Sequence, residues 1–248
     1  MFDILAGLNR FAALESAERQ AIAEAARVRR WRAKEELWRE GDVPREMDII
    51  VSGWAAQYKM LSDGRRQIVA LLMPGDLWLF RLGEPGPLDH SVVALTPVTV
   101  ARLPLWRMEQ LAAAHESVRV LMTNAIAFAA SIQEELTMSL GRRNGTERVG
   151  HLLCEIAFRL SSAGEECGAG FHVPLTQSEL GDMVGVTAIH ANRLLQGLRV
   201  AKLISLERRT LRVPDLPALE RSCGFSASYL ERAMCLPPPA PAKIAQVM

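Results

Sequence analysis

The spacing of hydrophobic and polar positions changes several times along the chain, and each change predicts a different kind of element. Over residues 3–27 apolar residues recur every three or four positions, which predicts helices, the second of them beginning near Ser16. Over residues 28–104 short apolar segments alternate with glycine-containing turns at roughly ten-residue intervals. That pattern is typical of an antiparallel sandwich or barrel. Asp63-Gly64 is the clearest of these turns and predicts a tight hairpin.

Residues 117–140 form the longest helical pattern. Apolar residues recur in it at spacings of three and four, which is nearly a heptad seam. Such a stripe fits either a neighbouring sheet or a second chain, and we interpret it as the seam of a homodimer. The residues predicted to form this dimer interface are Val118, Leu121, Ala125, Phe128 and Ile132. Glycine-rich residues 141–145 then interrupt the helix and predict a hinge, after which Thr146 is the predicted N-cap of a further helix.

Residues 176–213 have the pattern of a helix, a tight turn, a second helix and a two-stranded ribbon, which is typical of a winged helix-turn-helix. Thr176 and Glu179 form the capping box T-x-x-E that begins the first helix. Gly185 lies at the turn, where a positive φ angle is usually required, and Thr187 is a favoured N-cap for the second helix. A module of this kind places its second helix in the major groove, so the chain is predicted to bind DNA.

The second helix of this motif has two distinct faces. One face is apolar and is predicted to be core; it holds Ala191, Leu194, Leu195 and Leu198. The other presents side chains that pair with base edges, since Arg binds guanine and Asn binds adenine in bidentate fashion. The ribbon is predicted over residues 203–206 and 210–213, with two arginines at its tip against phosphates. The predicted DNA-binding residues are Thr187, Ala188, Ile189, His190, Asn192, Arg193, Gln196, Arg208 and Arg209.

Charge adds modest support for a nucleic-acid partner. The formal net charge of the whole chain is +1, which favours neither outcome because only the charge near the DNA matters. Between residues 141 and 214, ten Lys or Arg residues against seven Asp or Glu residues give a net charge of +3. An amphipathic pair of helices with solvated charges would not account for the two caps, the placed glycines and the basic ribbon together.

The sequence predicts no catalytic residue, no metal and no cofactor. The four cysteines are far apart and form no CxxC pair, so they lack the spacing of a zinc or iron–sulfur site. Asp89, His90 and Ser91 are adjacent on a predicted strand and point to alternate faces, so they cannot form a catalytic relay. With no stretch of 18 apolar residues and no secretory signal, the expectation is a cytoplasmic protein without membrane contact.

On these marks the chain resembles the Crp/Fnr family of bacterial transcription regulators over roughly residues 5–213. The marks are the glycine-punctuated strands with the turn Pro74-Gly75-Asp76, the long helix, and the segment LTQSELGDMVGVTAIHANRLLQGLRVAKLI. The resemblance implies an α+β fold with an N-terminal antiparallel, jelly-roll-like β-roll of the cyclic-nucleotide-binding type. The predicted domains are residues 1–116 for this sensor domain, 117–140 for a dimerisation helix, 141–214 for a winged helix-turn-helix DNA-binding domain, and 215–248 for a short helix and a disordered tail.

The chain also departs from the pattern of the family it resembles. Cyclic-AMP binders carry a Gly-Glu pair after the Pro-Gly-Asp turn and an Arg-Ser-Ala run for the cyclic phosphate. Here His90 stands at the Arg position and no such pair occurs before Glu84, so cyclic AMP is not the expected effector. The first cysteine is Cys154, which excludes the clustered N-terminal cysteines of an iron–sulfur branch. Ile189 stands where many relatives carry Glu, so the DNA site is expected to differ from theirs.

Two functions remain open at this point. In the first, a homodimeric, sequence-specific transcription regulator senses a small effector with its β-roll; in the second, the β-roll binds no ligand and is only a dimerisation and protein-contact scaffold. The predicted effector pocket, between the β-roll and the long helix, has the polar lining Arg81, Glu84, His90 and Ser91. A deep polar cavity there favours sensing, and one filled by Trp78 or Phe80 favours the scaffold. The predicted partners are a double-stranded DNA operator, a second copy of the chain, RNA polymerase and a small-molecule effector.

Overall fold

The computed structural model describes residues 5, 8–78, 86–163, 171–207 and 210–234. These residues form an antiparallel β-roll, a long helix and a helical domain with its own short sheet, so the predicted α+β fold is confirmed. After a 3-10 turn at Asn9–Phe11, the helices are α1 (Ser16–Ala25), α2 (Leu105–Ala114), α3 (Glu116–Arg142), α4 (Gly145–Ser162), α5 (Gln177–Val184), α6 (Ala188–Val200), α7 (Leu216–Cys223) and α8 (Ser228–Met234). The strands are β1 (Arg27–Trp31), β2 (Glu36–Trp38), β3 (Glu46–Ser52), β4 (Ala55–Met60), β5 (Arg66–Leu72), β6 (Leu77–Trp78), β7 (Ser91–Ala94), β8 (Val98–Pro104), β9 (Phe171–His172), β10 (Ser205–Glu207) and β11 (Thr210–Arg212).

Two four-stranded antiparallel sheets make up the β-roll, in the strand orders β1-β8-β3-β6 and β2-β7-β4-β5. Because side chains alternate along a strand, one set points between the sheets, where Ile50, Val92 and Val100 meet in a shared core. The predicted hairpin is confirmed, since β4 pairs antiparallel with β5. Gly64 in the turn between them has a φ angle of +85°, which glycine adopts without the steric cost of a side chain.

The opposite face of the first sheet is covered by the N-terminal helices, α2 and the first half of α3. Met47 and Ala101 of the sheet pack in one fully buried core with Phe11, Ile22 and Met108. Burying an apolar side chain of this size stabilises a fold by about 1.5–3 kcal/mol. This core therefore fixes the start of α3 firmly against the β-roll.

The helical domain begins with α4, which is capped by Asn144 and not by Thr146 as the sequence suggested. The side chain of Asn144 accepts a hydrogen bond from the N–H of Glu147 at 3.1 Å, and the Glu147 carboxylate accepts one from the N–H of Asn144 at 2.8 Å. Asn144 is the N-cap because the third residue after it is Glu147, which completes a capping box. The third residue after Thr146 is Val149, which cannot do so. Buried along most of its length, α4 joins α5, α6 and α7 in the largest core of the molecule.

Two helices follow the winged segment, where the sequence predicted one. The first, α7, begins at the N-cap Asp215 and ends at Gly224, whose φ angle is +63°. The second, α8, turns back and packs on α3 by placing Leu230 and Ala233 against Phe128. The predicted disordered tail, residues 236–248, lies outside the described residues. Among the described residues, no helix combines the length and apolar character that crossing a membrane requires.

Candidate nucleic-acid interface

Helices α5 and α6 begin at the caps that the sequence predicts. The Oγ1 of Thr176 accepts a hydrogen bond from the N–H of Glu179 at 3.2 Å, and the Glu179 carboxylate accepts one from the N–H of Thr176 at 2.7 Å. The Oγ1 of Thr187 accepts from the N–H of His190 at 3.2 Å and caps α6. Each such cap contributes about 1 kcal/mol, so the local sequence fixes where both helices begin.

The turn between α5 and α6 depends on two glycines. Gly185 ends α5 with φ +70° and ψ 40°, the left-handed conformation that the sequence predicted there. Gly181 lies where the two helices cross, and a Cβ on it would stand only 2.6 Å from the carbonyl oxygen of Val186. Any larger residue would push the helices apart, so the angle between α5 and α6 requires glycine at this position.

The two faces of α6 separate as the sequence predicts. The core face holds the buried residues Ala191, Leu195 and Leu198, with Leu194 half-buried beside them. On the opposite face Ile189 is 70% exposed, and Arg193 and Gln196 are exposed four and seven residues further on, so the three form one stripe. The remaining predicted contact residues flank this stripe: Thr187 and His190 are exposed, and Ala188 and Asn192 are half-buried.

The wing is a three-stranded sheet in the order β10-β11-β9. The predicted ribbon is present as β10 and β11, although β10 begins at Ser205 and not at residue 203. The third strand, β9, was not predicted because it is only two residues long, and it pairs Phe171 with Leu211. Arg208 and Arg209, predicted for the tip of the wing, lie outside the described residues.

Two ion pairs hold the helical domain against the β-roll of the same chain. Arg66 on β5 pairs with Asp182 on α5 at 2.7 Å, and both side chains are less than a third exposed. Arg159 on α4 pairs with Asp76 of the β-roll and also donates a hydrogen bond to the carbonyl of Leu71 at 3.1 Å. The Arg159 side chain is only 4% exposed, so this second contact is buried. A change in the β-roll therefore has direct contacts through which it reaches the helix-turn-helix.

A cavity of about 500 Å³ lies between the β-roll and α3. Small-molecule sites commonly have volumes of about 300–1,000 Å³. Trp78 forms part of the wall and leaves the space open, whereas Phe80, the other residue considered as a filler, lies outside the described residues. The polar residues of the described lining are Arg10, Gln57, Asp76, His90, Gln133 and Arg159.

This lining corrects the effector pocket predicted from the sequence. His90 lines the cavity, but Ser91 does not: its hydroxyl accepts a hydrogen bond from the N–H of Glu40 at 2.9 Å within the β-roll. The predicted lining residues Arg81 and Glu84 lie outside the described residues. Sequence reasoning missed the two arginines of the lining because they come from the N-terminal segment and from α4, far from the β-roll in sequence. Among the described lining residues that the sequence did not predict, only Asp76 belongs to a recognisable sequence motif, the Pro-Gly-Asp turn.

The predicted dimer interface also requires correction. Four of its residues are buried against their own chain: Val118, Leu121 and Ala125 in the core beneath the N-terminal helices, and Phe128 beneath α8. Ile132 is half-buried next to them. The apolar stripe of α3 is therefore core in this structure, and the exposed side of α3 is a different one.

Comparison with known proteins identifies two domain families in the chain. Residues 28–115 match the family model of the cyclic nucleotide-binding domain, and residues 147–222 match that of the Crp-like helix-turn-helix domain. The chain is 27% identical to the nitrogen fixation regulation protein FixK of Rhizobium meliloti over 192 residues, which cover 76% of this chain and 83% of FixK. It is 28% identical to the transcriptional activator protein FnrL of Cereibacter sphaeroides over 219 residues, which cover 85% of this chain and 86% of FnrL.

The fold agrees with these matches. The solved structure of FixK2 from Bradyrhizobium japonicum superposes with a TM-score of 0.71 at 27% identity, over 79% of this chain and 96% of FixK2. By name, FixK is a nitrogen fixation regulation protein and FnrL is a transcriptional activator protein. The chain therefore belongs to the Crp/Fnr family of transcription regulators and carries the DNA-binding helix-turn-helix of that family.

Proposed function

We propose that the protein is a homodimer that reads a specific DNA sequence with α6 and changes its DNA binding when a small molecule occupies the cavity. The stripe of Ile189, Arg193 and Gln196 carries this proposal. These side chains are exposed on a helix whose other face is core, so they contribute little to the fold. Helix-turn-helix proteins place their base contacts on this side of the second helix.

The chemistry of the stripe indicates what it reads. Arg193 has the fork of donors that pairs with O6 and N7 of guanine, and Asn192 beside it pairs with adenine. Ile189 has no hydrogen-bonding group and suits the methyl group of thymine. Arg208 and Arg209 would hold the wing against phosphates, which position the protein without reading sequence.

The dimer seam that we propose lies on the exposed side of α3. Polar, small and apolar residues follow one another there at spacings of three and four, which keeps them on one face of a coiled coil: Thr123, Ile126, Ala130, Gln133 and Thr137. Ile126 is 44% exposed, which leaves apolar surface for a partner to cover. Two chains related by a two-fold axis along this face would present two copies of α6 to successive major grooves.

The open cavity favours sensing over the scaffold alternative. If the β-roll served only as a scaffold, the space between it and α3 would be filled by side chains, as protein cores are. Here Trp78 lines a space of about 500 Å³ and does not fill it. Ile126, Ala130 and Gln133 belong both to the cavity wall and to the proposed seam, so a ligand there would act directly on the dimer.

Selection of bound DNA from a random pool tests the proposal and identifies the operator. On the selected sequence, Arg193→Ala is expected to weaken binding about tenfold or more, because a bidentate arginine contributes about 1–3 kcal/mol of discrimination. Gel retardation against the selected and a scrambled sequence measures the loss.

The matched control is Arg39→Ala, which removes an exposed arginine of the β-roll that pairs with Glu36. This variant is expected to bind the selected DNA like the wild type. Wild-type affinity in Arg193→Ala, or equal losses in both variants, would show that α6 does not read the DNA.

A further inference from the structure

The wall of the cavity brings two guanidinium groups to a single carboxylate. Asp76 pairs with Arg10 through Oδ1 at 3.2 Å and with Arg159 through Oδ2. All three side chains are largely buried, with exposures of 19% for Arg10, 4% for Arg159 and 11% for Asp76. Among the described lining residues, the charged groups therefore leave one positive charge without a carboxylate of its own.

A second carboxylate lies behind this group and not on the cavity wall. Glu155 is 3.4 Å from Arg159 and accepts a hydrogen bond from the hydroxyl of Tyr229 at 2.8 Å. Burial raises the pKa of Glu155, which favours its neutral form and weakens its charge compensation of Arg159. Among the described residues, Asp76 is the one carboxylate that pairs with Arg10. The guanidinium of Arg10 also lies over the ring of Phe128, with its central carbon 3.7 Å from the ring centre.

The pKa of Arg10 is consistent with a positive charge that lacks a carboxylate of its own. Burial lowers the pKa of Arg10, Asp76 opposes that shift, and the positive charge of Arg159 adds to it. A buried cation in this position is stabilised by an additional anion. Phe128 covers one face of the guanidinium, and Arg10 lines the cavity, so an anion within the cavity can reach it.

Apart from Gln57, His90 and Gln133, the rest of the described wall is apolar, which restricts the ligand further. Side chains from the β-roll and from α3 face each other across the space: Leu72, Leu77, Trp78, Ala125, Ile126 and Ala129. Few polar groups are available for a sugar or a second charge. One is the buried Nε2 of His90, which has no hydrogen-bond partner within the described residues.

We propose that the cavity binds an amphiphilic monoanion, an apolar or aromatic body bearing one carboxylate, with the carboxylate held by Arg10 and Arg159. This inference rests on the proposed sensing function and names the chemical class of the effector. Neither arginine belongs to the β-roll: Arg10 precedes α1, and Arg159 lies on α4 of the DNA-binding domain. A bound carboxylate would compete with Asp76 for Arg159 and so would act on the contact that joins the two domains.

The test uses the whole chain and a matched pair of probes, 2-naphthoate and its neutral isostere 2-naphthamide. Calorimetric titration is expected to show naphthoate binding about tenfold or more tightly than naphthamide, since a charge-assisted hydrogen bond contributes about 1.5–3 kcal/mol. Arg10→Gln is expected to remove this preference, Arg10→Lys to retain most of it, and Arg29→Gln, an exposed arginine of β1, to leave it unchanged. Inorganic phosphate and cyclic AMP are titrated in parallel.

Each outcome decides the proposal. Equal affinity for the two probes, no binding of naphthoate, or equal effects of Arg10→Gln and Arg29→Gln would overturn it. Binding of inorganic phosphate as tight as that of naphthoate would show that the apolar wall has no role, and tighter binding of cyclic AMP would assign the site to a nucleotide; either result overturns it as well. If Arg10→Gln does not fold, titration of the two probes into the wild type and Arg10→Lys still shows whether the cavity prefers the carboxylate. Retardation of the selected DNA by the same preparations keeps a failure here separate from a failure of the DNA-binding proposal.

Discussion

At the scale of single residues, Gly185 is the position at which backbone conformation most directly controls the helix-turn-helix. Its φ angle is +70°, and a Cβ there would lie 3.1 Å from a methyl group of Leu140. A residue with a Cβ costs about 1–2 kcal/mol in this conformation. Gly185→Ala is therefore expected to lower the free energy of unfolding by about that amount, measured by urea denaturation.

Gly197 provides the contrast, because it lies in the interior of α6 and a Cβ on it would meet nothing within 4 Å. Alanine is favoured over glycine in a helix interior by about 1 kcal/mol, so Gly197→Ala is expected to stabilise the protein. If both substitutions shift stability in the same direction, the left-handed conformation at Gly185 is not the cause of its effect.

His151 gives a prediction about pH. Burial lowers its pKa to about 4, the positive charge of Arg143 adds to the shift, and the carboxylate of Glu135, 3.1 Å away, opposes it. The unfolded chain, with an ordinary histidine pKa of about 6.5, binds this proton more tightly than the folded chain does. The stability contributed by the neutral histidine is therefore complete above about pH 6.5 and is lost as the pH falls toward 4.

Between pH 7.5 and pH 5.0 this loss amounts to about 2 kcal/mol from His151 alone. Urea denaturation of the wild type and of His151→Gln at both pH values isolates it, because the other titrating groups are common to the two proteins. We expect the variant to lose less stability than the wild type on acidification. An identical pH dependence in the two proteins would mean that His151 titrates normally in the fold.

Residue patterns predicted the local features of the site well and the long-range ones poorly. The caps at Thr176 and Thr187 and the turn at Gly185 are set by neighbours within a few positions, and all three are confirmed. The cavity residues Arg10 and Arg159 are placed by contacts with Asp76, which is more than 60 positions from either of them in sequence, and no local pattern encodes such contacts. The misplaced cap at the start of α4 was avoidable, since the N-x-x-E spacing of a capping box is present at Asn144.

At the scale of elements, α3 shows why an apolar stripe does not by itself reveal what covers it. The spacing of its apolar residues correctly predicted a long helix with one buried face. The same spacing fits a second chain or the chain's own core, and the choice depends on the N-terminal segment and α8, which lie at the two ends of the sequence. The sequence predicted the helix, but it did not predict which part of the molecule covers the apolar face of that helix.

The exposed side of α3 leads to a prediction about assembly. Ile126→Asp places a charge in the middle of the proposed seam, where burial of an unpaired carboxylate costs several kcal/mol. We expect this variant to sediment as a monomer at concentrations at which the wild type is a dimer. Analytical ultracentrifugation measures the difference.

Val43→Asp is the matched control, because Val43 is exposed to a similar degree, 52% against 44% for Ile126, and lies in a loop of the β-roll. It should leave the dimer intact. A dimer that survives Ile126→Asp would place the seam elsewhere, and dissociation by both substitutions would point to a general loss of structure.

At the scale of the whole molecule, the contacts between the β-roll and the helix-turn-helix hold α6 in one orientation. Arg66 pairs with Asp182, and the side-chain amide of the adjacent Gln67 donates a hydrogen bond to the carbonyl of Met183 at 3.0 Å. The predicted hinge between α3 and α4 carries Arg142 and Arg143. The sequence predicted this hinge from its glycines, but it gave no indication of the contacts that restrain it, because each involves residues more than 100 positions apart.

A charge reversal tests whether these contacts restrain the hinge. Arg66→Asp and Asp182→Arg each place like charges together, and each is expected to speed tryptic cleavage after Arg142 and Arg143, followed by mass spectrometry of the fragments. An interaction of about 1 kcal/mol corresponds to about a fivefold change in the population of the open state. The double reversal restores opposite charges and is expected to return cleavage toward the wild-type rate. Lys59→Asp, which breaks an exposed pair with Asp89 inside the β-roll, should change nothing at the hinge. If the single reversals are cleaved no faster than this control, or if the double reversal is cleaved as fast as either single one, the pair does not hold the DNA-binding domain in place.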